Sequence, residues 1–255
     1  MRVLHIADIH FCKDRAGEAL ASLKCAEGYA KANPVDMIAI AGDLFDAAVL
    51  NSENARLAEF AGAIKRLGDS APVAMVYGTP SHDVDGSLEI FKAITCTYGI
   101  TVLEPGQAYF YSGNVSREIY PESGMQAECS SALDYPEAII FGIPEPRKKY
   151  LLANSSAGKD ETEETIRDAM RRMCYLLAAK RREYPDIPCV ALYHGEIAGT
   201  TLQNDQTVER GTGISITIDD LADIGADYYA LGHIHKPQRV GSLQAYYLNL
   251  THRIL

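Results

Sequence analysis

A layered α/β domain is the fold this sequence predicts, and three observations carry the prediction. Strand-like and helix-like segments alternate through the first hundred residues, and a hairpin-rich stretch follows them. Polar residues with an affinity for metals recur where strands run out into loops. The 255 residues suit one domain, and a hydrophobic content of 47% is enough to bury a core.

Residues 3–7 read as a buried strand, 16–32 as a helix stopped by Asn33-Pro34, and 35–41 as a second buried strand. Asn51 or Ser52 can cap a helix running to about Leu67, with Glu53 early in it, where the helix dipole favours an acid. Residues 72–77 form a third strand, 87–95 a short helix and 101–103 a fourth strand. Segments 109–120 and 138–143 are strand-like, with Gly, Ser, Asn and Pro between them, the pattern of antiparallel hairpins. The clearest helix spans 160–182, with Ile166, Met170, Met173 and Leu177 on one face. Its acidic start and its Lys180, Arg181 and Arg182 finish complement the dipole, so it reads as a solvated helix packed on a sheet. Segments 189–193, 228–231 and 245–250 are strands, and the polar stretch 195–213 is a loop.

No apolar run approaches the ~20 residues that cross a bilayer. The N-terminus leads straight into a motif rather than a signal peptide, so no membrane partner and a cytoplasmic location are expected. Six cysteines without a C-x-x-C pair read as reduced thiols, and Cys12 lies two residues beyond a candidate ligand. A net charge of −10 opposes an unaided grip on nucleic acid, despite basic clusters at 147–149, 171–172 and 180–182. A DNA substrate would call for a partner chain.

Five of the seven histidines sit at expected strand ends. Asp8-Ile9-His10 follows the first strand, Gly42-Asp43 the second, and Gly78-Thr79-Pro80-Ser81-His82-Asp83 the third. His194 ends the strand at 189–193, and Gly232-His233-Ile234-His235 ends the strand at 228–231. Such ends converge on one rim in layered α/β folds. Residues two apart on an extended strand point the same way, so Asp8 and His10 can face one ion, and His233 and His235 can serve two. Imidazole with carboxylate suits Mn, Fe or Zn better than Mg or Ca. Two ions ~3.5–4 Å apart can clamp the attacking and leaving oxygens of a phosphoryl displacement. Each motif alone is ordinary turn or surface chemistry. Their occurrence in one order along one chain is specific.

These motifs resemble the calcineurin-like metallophosphoesterase superfamily, whose pattern is D-x-H, G-D, G-N-H-D, H and G-H-x-H. The resemblance covers nearly the whole chain. The stretch from Val3 to His10, with its early His5, and the stretch from Asp227 to Gln238 look like the SbcD-type DNA repair nucleases. The resemblance implies a four-layer α/β/β/α architecture, a β-sandwich flanked by helices. It also implies a manganese-preferring exo- or endonuclease acting on DNA with an SbcC-like ATPase, with Fe, Zn or Mg as other candidate ions. Carried over by motif, Asp8, His10, Asp43 and His235 would hold one ion, and Asp43 would bridge to a second, bound also by His194 and His233. Ser81 would stand at the family's Asn position, as a shorter and weaker ligand. His82 would act on the scissile phosphate, with Asp83 orienting its ring. Residues 1–255 are expected to form one nuclease-core domain, without the capping and ATPase-binding regions of those nucleases. Two rival readings stay open, a small-molecule phosphodiesterase or phosphatase and a non-catalytic metal-binding scaffold, and so does a homodimer.

Overall fold

The computed structural model describes residues 1–46, 56–113, 117–122, 136–146, 163–209 and 214–248. Its plan follows from the alternation of side chains along buried strands. In β2 (Met37–Ala41), Ile38 and Ile40 turn toward helices, whereas Met37, Ala39 and Ala41 turn toward a second sheet. A strand buried on both faces needs a layer on each side. The first sheet is parallel, in the order β1 (Val3–Ile6), β2, β3 (Val73–Val76) and β4 (Ile100–Val102). The helices α1 (Ala16–Ala32), α2 (Leu57–Gly68) and α3 (Glu89–Lys92) lie between these strands along the chain. Leu23 of α1, together with Phe60 and Ile64 of α2, packs on the outer face beside Ile38 and Ile40.

The second sheet comprises β5 (Ala108–Ser112), β6 (Glu118–Pro121), β7 (Ala138–Ile143), β8 (Cys189–His194), β9 (Tyr228–Gly232), β10 (Gln238–Arg239) and β11 (Ala245–Tyr247). Its order is β10-β11-β9-β8-β7-β5-β6, with β7, β8, β9 and β11 parallel and β5, β6 and β10 antiparallel. Ile139, Phe141, Ala191, Tyr229 and Leu231 pack beneath α4 (Glu163–Glu183), while Ile140, Val190, Leu192 and Ala230 face the first sheet. The result is the expected helix–sheet–sheet–helix stack.

The sheets touch closely where β2 crosses β8 and β9. A Cβ on Gly232 would stand 1.9 Å from the Ala41 carbonyl oxygen, so only glycine permits that approach. This contact brings the C-terminal ends of β2, β8 and β9 together, and those ends carry the site.

The structure redraws several expected boundaries. Segment 109–120 is a hairpin of β5 and β6 rather than one strand, and the helix expected at 87–95 keeps helical geometry only in α3. The buried stripe of α4 is Met170, Cys174, Leu177 and Ala178, with Ile166 and Met173 half-buried at its margin. Asn51, Ser52 and Glu53, the 147–149 cluster, the start of the 160–182 segment and the end of the 245–250 strand lie outside the described residues. A short helix absent from the expected elements, α5 (Ile218–Ala222), starts at a reciprocal capping box of Thr217 and Asp220. Among the described residues, no helix is long and apolar enough to cross a membrane.

Candidate metal centre

Among the described residues, three histidine–aspartate groups form at the common rim: Asp8, His10 and His235; His10, Asp43 and His82; and Asp43, His194 and His233. Within each, one ligand atom per residue lies within 4.8 Å of the others. The backbone is bent to achieve this. Among the described residues, six non-glycine residues have positive φ, and Asp8, His10, Asp43 and His233 are four of them. Such strain, normally about 1–3 kcal/mol per residue, collects where surrounding structure enforces it for function. Here the loops after β1 and β2 are tied by His10 N–H to Asp43 O at 3.0 Å and Phe11 N–H to Leu44 O at 3.0 Å.

Asp43 is the hub. Its Oδ2 lies 2.8 Å from His82 Nδ1 and 3.8 Å from His10 Nε2, and its Oδ1 lies 3.3 Å from His194 Nε2. The Thr79 N–H donates to Oδ1 at 2.6 Å. Burial opposes the negative charge on Asp43, but the neighbouring His194, His82 and His10 hold its carboxyl far below the usual range. His194 is fully buried, and its Nδ1–H donates to the Ala41 carbonyl at 2.7 Å. That bond turns Nε2 toward Asp43, an orientation typical of a ligand imidazole. Burial disfavours charge on His194, yet Asp43 outweighs it and lifts the pKa to about 10.

Asp8 is also fully buried. Its Oδ1 accepts the His233 N–H at 2.8 Å, while Oδ2 is buried with no hydrogen-bond partner among the described residues. Burial pushes the Asp8 carboxyl up to about 7. His10 Nε2 faces His235 Nε2 at 2.9 Å, and burial lowers the His10 pKa to about 4, which leaves it neutral at pH 7. An orphaned carboxylate oxygen beside two imidazole nitrogens that face one another is a donor set for a cation, so the residues present fit a divalent ion.

Two expectations about the loop after β3 change. Ser81 is exposed, and the residue set against the donors is Thr79, whose Oγ1 lies 3.2 Å from Asp43 Oδ2 and 3.4 Å from both His194 Nε2 and His233 Nδ1. The Thr79 carbonyl accepts the N–H groups of His82 and Asp83, so Pro80 and Ser81 bulge outward in a turn. Spacing counted back from His82 selects Ser81, whereas spacing counted forward from Gly78 selects Thr79. The second change concerns His82, whose ring nitrogen meets Asp43. The buried Asp83 accepts the N–H groups of Phe45 at 3.0 Å and Gly78 at 2.9 Å, bracing two loops. Burial raises its pKa to about 6.

His5, inside β1, points Nδ1 at the Tyr228 hydroxyl 3.1 Å away, and burial drops its pKa to about 3. Glu196, two residues beyond His194, lies 3.8 Å from His233 Nε2, and that contact lowers its pKa. Glu145, which no motif signals, reaches within 4.0 Å of His233 Nδ1.

A β-sandwich with histidines and aspartates gathered at its strand ends defines a metal-dependent phosphoesterase. The chain belongs to the calcineurin-like phosphoesterase family, whose model matches residues 1–237. It is 27% identical over 250 residues to the SbcD subunit of the nuclease SbcCD from Bacillus subtilis (strain 168). The match covers 94% of this chain and 58% of that protein, so the chain spans just over half of that relative's length.

The protonation pattern predicts how metal will bind. His194, with its pKa near 10, must shed a proton to become a ligand, and so must Asp8 below about pH 7. Calorimetry at pH 7.5 in buffers of different ionisation heat should therefore record proton release with binding. Apparent affinity should fall about tenfold per pH unit for each displaced proton below pH 7. Before metal is added, Asp8 also works against stability as pH rises from about 4 to 7, because its folded pKa exceeds the unfolded one. The thermal stabilisation by added manganese should accordingly shrink as pH falls from 7 to 5; an unchanged shift would refute this linkage.

Proposed function

We propose that this chain is the catalytic core of a two-metal DNA phosphodiesterase of SbcD type. The observation that supports it most is the sharing of Asp43 between two donor groups, one with His10 and one with His194 and His233. In this reading Asp8, His10, His235 and Asp43 hold one divalent ion, and Asp43, His194 and His233 hold the other beside Thr79. The family resemblance implies manganese as the preferred ion, and this nitrogen and oxygen set also admits Fe, Zn or Mg. When bound, the ions supply Lewis-acid charge to the phosphodiester. The half-exposed His82 faces the solvent side of Asp43, which raises its pKa and so favours its hydrogen-bond-donating form. It stabilises charge on the phosphoryl oxygens or gives a proton to the leaving oxygen.

The relative named above is a subunit of a nuclease, which favours a nucleic acid such as DNA as substrate; the family resemblance adds an SbcC-like ATPase as partner. The −10 charge favours a second reading, a small phosphodiester substrate. Single- and double-stranded DNA should be cut in the presence of manganese and spared after chelation. Hydrolysis of nitrophenyl phosphate esters with no cutting of DNA would select the second reading, and no turnover of either would discard both.

A further inference from the structure

The helix α4 carries apolar side chains on the face turned away from its sheet. Among the described residues, Tyr175 and Leu176 are the most exposed large hydrophobics, at 68% and 62%. Neither joins the core that Met170, Cys174 and Leu177 enter from the opposite face of the helix. A single exposed apolar residue is ordinary, but an adjacent pair bordered by grooves is a shape that another surface can fill. Leu176 lines two grooves. One runs between α4 and α5 past Arg171, Asp220 and Asp223, and the other is lined by Ala179, Lys180, Glu122 and Gln107. A ridge standing between grooves is what a second helix packs against.

The charges along this face select which helix. Glu164, Asp168, Arg171, Tyr175 and Arg182 follow one another at spacings of 4, 3, 4 and 7 residues, so they form one stripe. The stripe begins acidic and ends basic, with the tyrosine between. Glu164 and Arg182 are about five full turns apart and therefore lie on the same line. A copy of this helix laid antiparallel sets Glu164 opposite Arg182 at both ends. It also sets Tyr175 beside Arg171 and Arg172, a cation–π arrangement. An acidic foreign helix would be repelled at Glu164 and Asp168, and a basic one at Arg171 and Arg182. A second copy avoids both. The −10 charge of the chain opposes self-association, but α4 holds six basic residues against four acidic ones, so two copies can meet there without excess negative charge.

We infer that α4 is an interface between two copies of this chain, paired antiparallel about a two-fold axis near Met173. The interface uses no residue of the metal centre, and it stands whether or not two ions bind there. One pair of helices roughly 30 Å long falls short of the ~800 Å² per partner of stable interfaces, so the dimer should depend on concentration, with a Kd on the order of 10 µM. The test is sedimentation equilibrium of the purified chain across about 1–100 µM, with thermal melting to check folding. Y175S should weaken association at least about tenfold. E164R and R182E should each weaken it about threefold or more by setting like charges opposite one another at both ends, whereas E164R/R182E together should restore it. A chain monomeric at every concentration would leave the face to another partner and overturn the inference. A dimer that Y175S leaves intact uses a different surface, and would overturn it as well. Single charge variants that associate like wild type, or a double variant no tighter than either, would overturn the antiparallel pairing.

Discussion

Replacing Asp43 with asparagine should lower kcat/KM for phosphodiester cleavage by at least about 10³-fold, the equivalent of ~4 kcal/mol of lost transition-state stabilisation. The size follows from position. Asp43 and His10 each belong to two of the three donor groups, but Asp43 alone of the two is a carboxylate, and its two oxygens face different histidines, Oδ1 toward His194 and Oδ2 toward His82 and His10. An amide keeps the shape and offers one neutral oxygen in place of two that share a negative charge. D43N should therefore reduce the bound manganese below two ions per chain as well as slow the reaction. It should also bring the His194 pKa down, because Asp43 is what overcomes the burial of that ring. Nuclear magnetic resonance of the chelated protein would follow that titration directly. Full activity with two tightly bound ions in D43N would remove the shared carboxylate, and with it the proposed site.

Most of this candidate site is legible in the sequence because its donor residues come in short-spaced pairs just past strand ends. Asp8 with His10, and His233 with His235, are two apart at strand ends, and parallel strands within a layered fold put such ends on one rim. The failures come where local spacing is not conclusive. Adjacency to His82 selects Ser81, but the turn at Pro80 moves it outward and leaves Thr79 against the donors. Nothing in the sequence separates these two hydroxyls, since the choice depends on how the Thr79 carbonyl closes the turn. Asp83 follows His82 in sequence, yet it points into the loop base, where two backbone N–H groups claim it. Glu145 is invisible in the sequence because its relation to His233 spans 88 residues and depends on how β7 lies next to β8 and β9.

The fold shows the same division. Composition alone reveals the buried runs of β2, β3 and β8, because strands covered on both faces are nearly all apolar. The two-residue β10 carries no such signal, since its pairing with β11 sets its conformation. The stripe on α4 is displaced by Cys174 and Ala178, small residues that pack where the sheet comes close and that periodicity of large side chains overlooks.

His82→Ala should separate binding from chemistry, and the expected effect is a fall in kcat of about 10²–10⁴-fold with both ions retained. His82 and His233, with side chains 32% and 27% exposed, stand nearer the solvent than the other measured histidines of the rim. His10 and His194 are buried at 6% and 0%. A ring that a substrate can touch, edge-on to His10 at 4.7 Å and hydrogen-bonded to Asp43, is placed to act on a phosphate lying over the donors. If it were merely another ligand, its removal would lower metal affinity and raise the metal concentration needed for half-maximal rate. If it acts on the substrate, kcat falls at saturating manganese while the metal titration stays where it was. The leaving group distinguishes the two roles left to it. An ester with an acidic leaving group such as nitrophenol departs without a proton, so H82A should cost less on that substrate than on one with an alkoxide leaving group. Equal losses on both would assign His82 to stabilising the phosphoryl oxygens, and a shifted metal titration would make it a ligand.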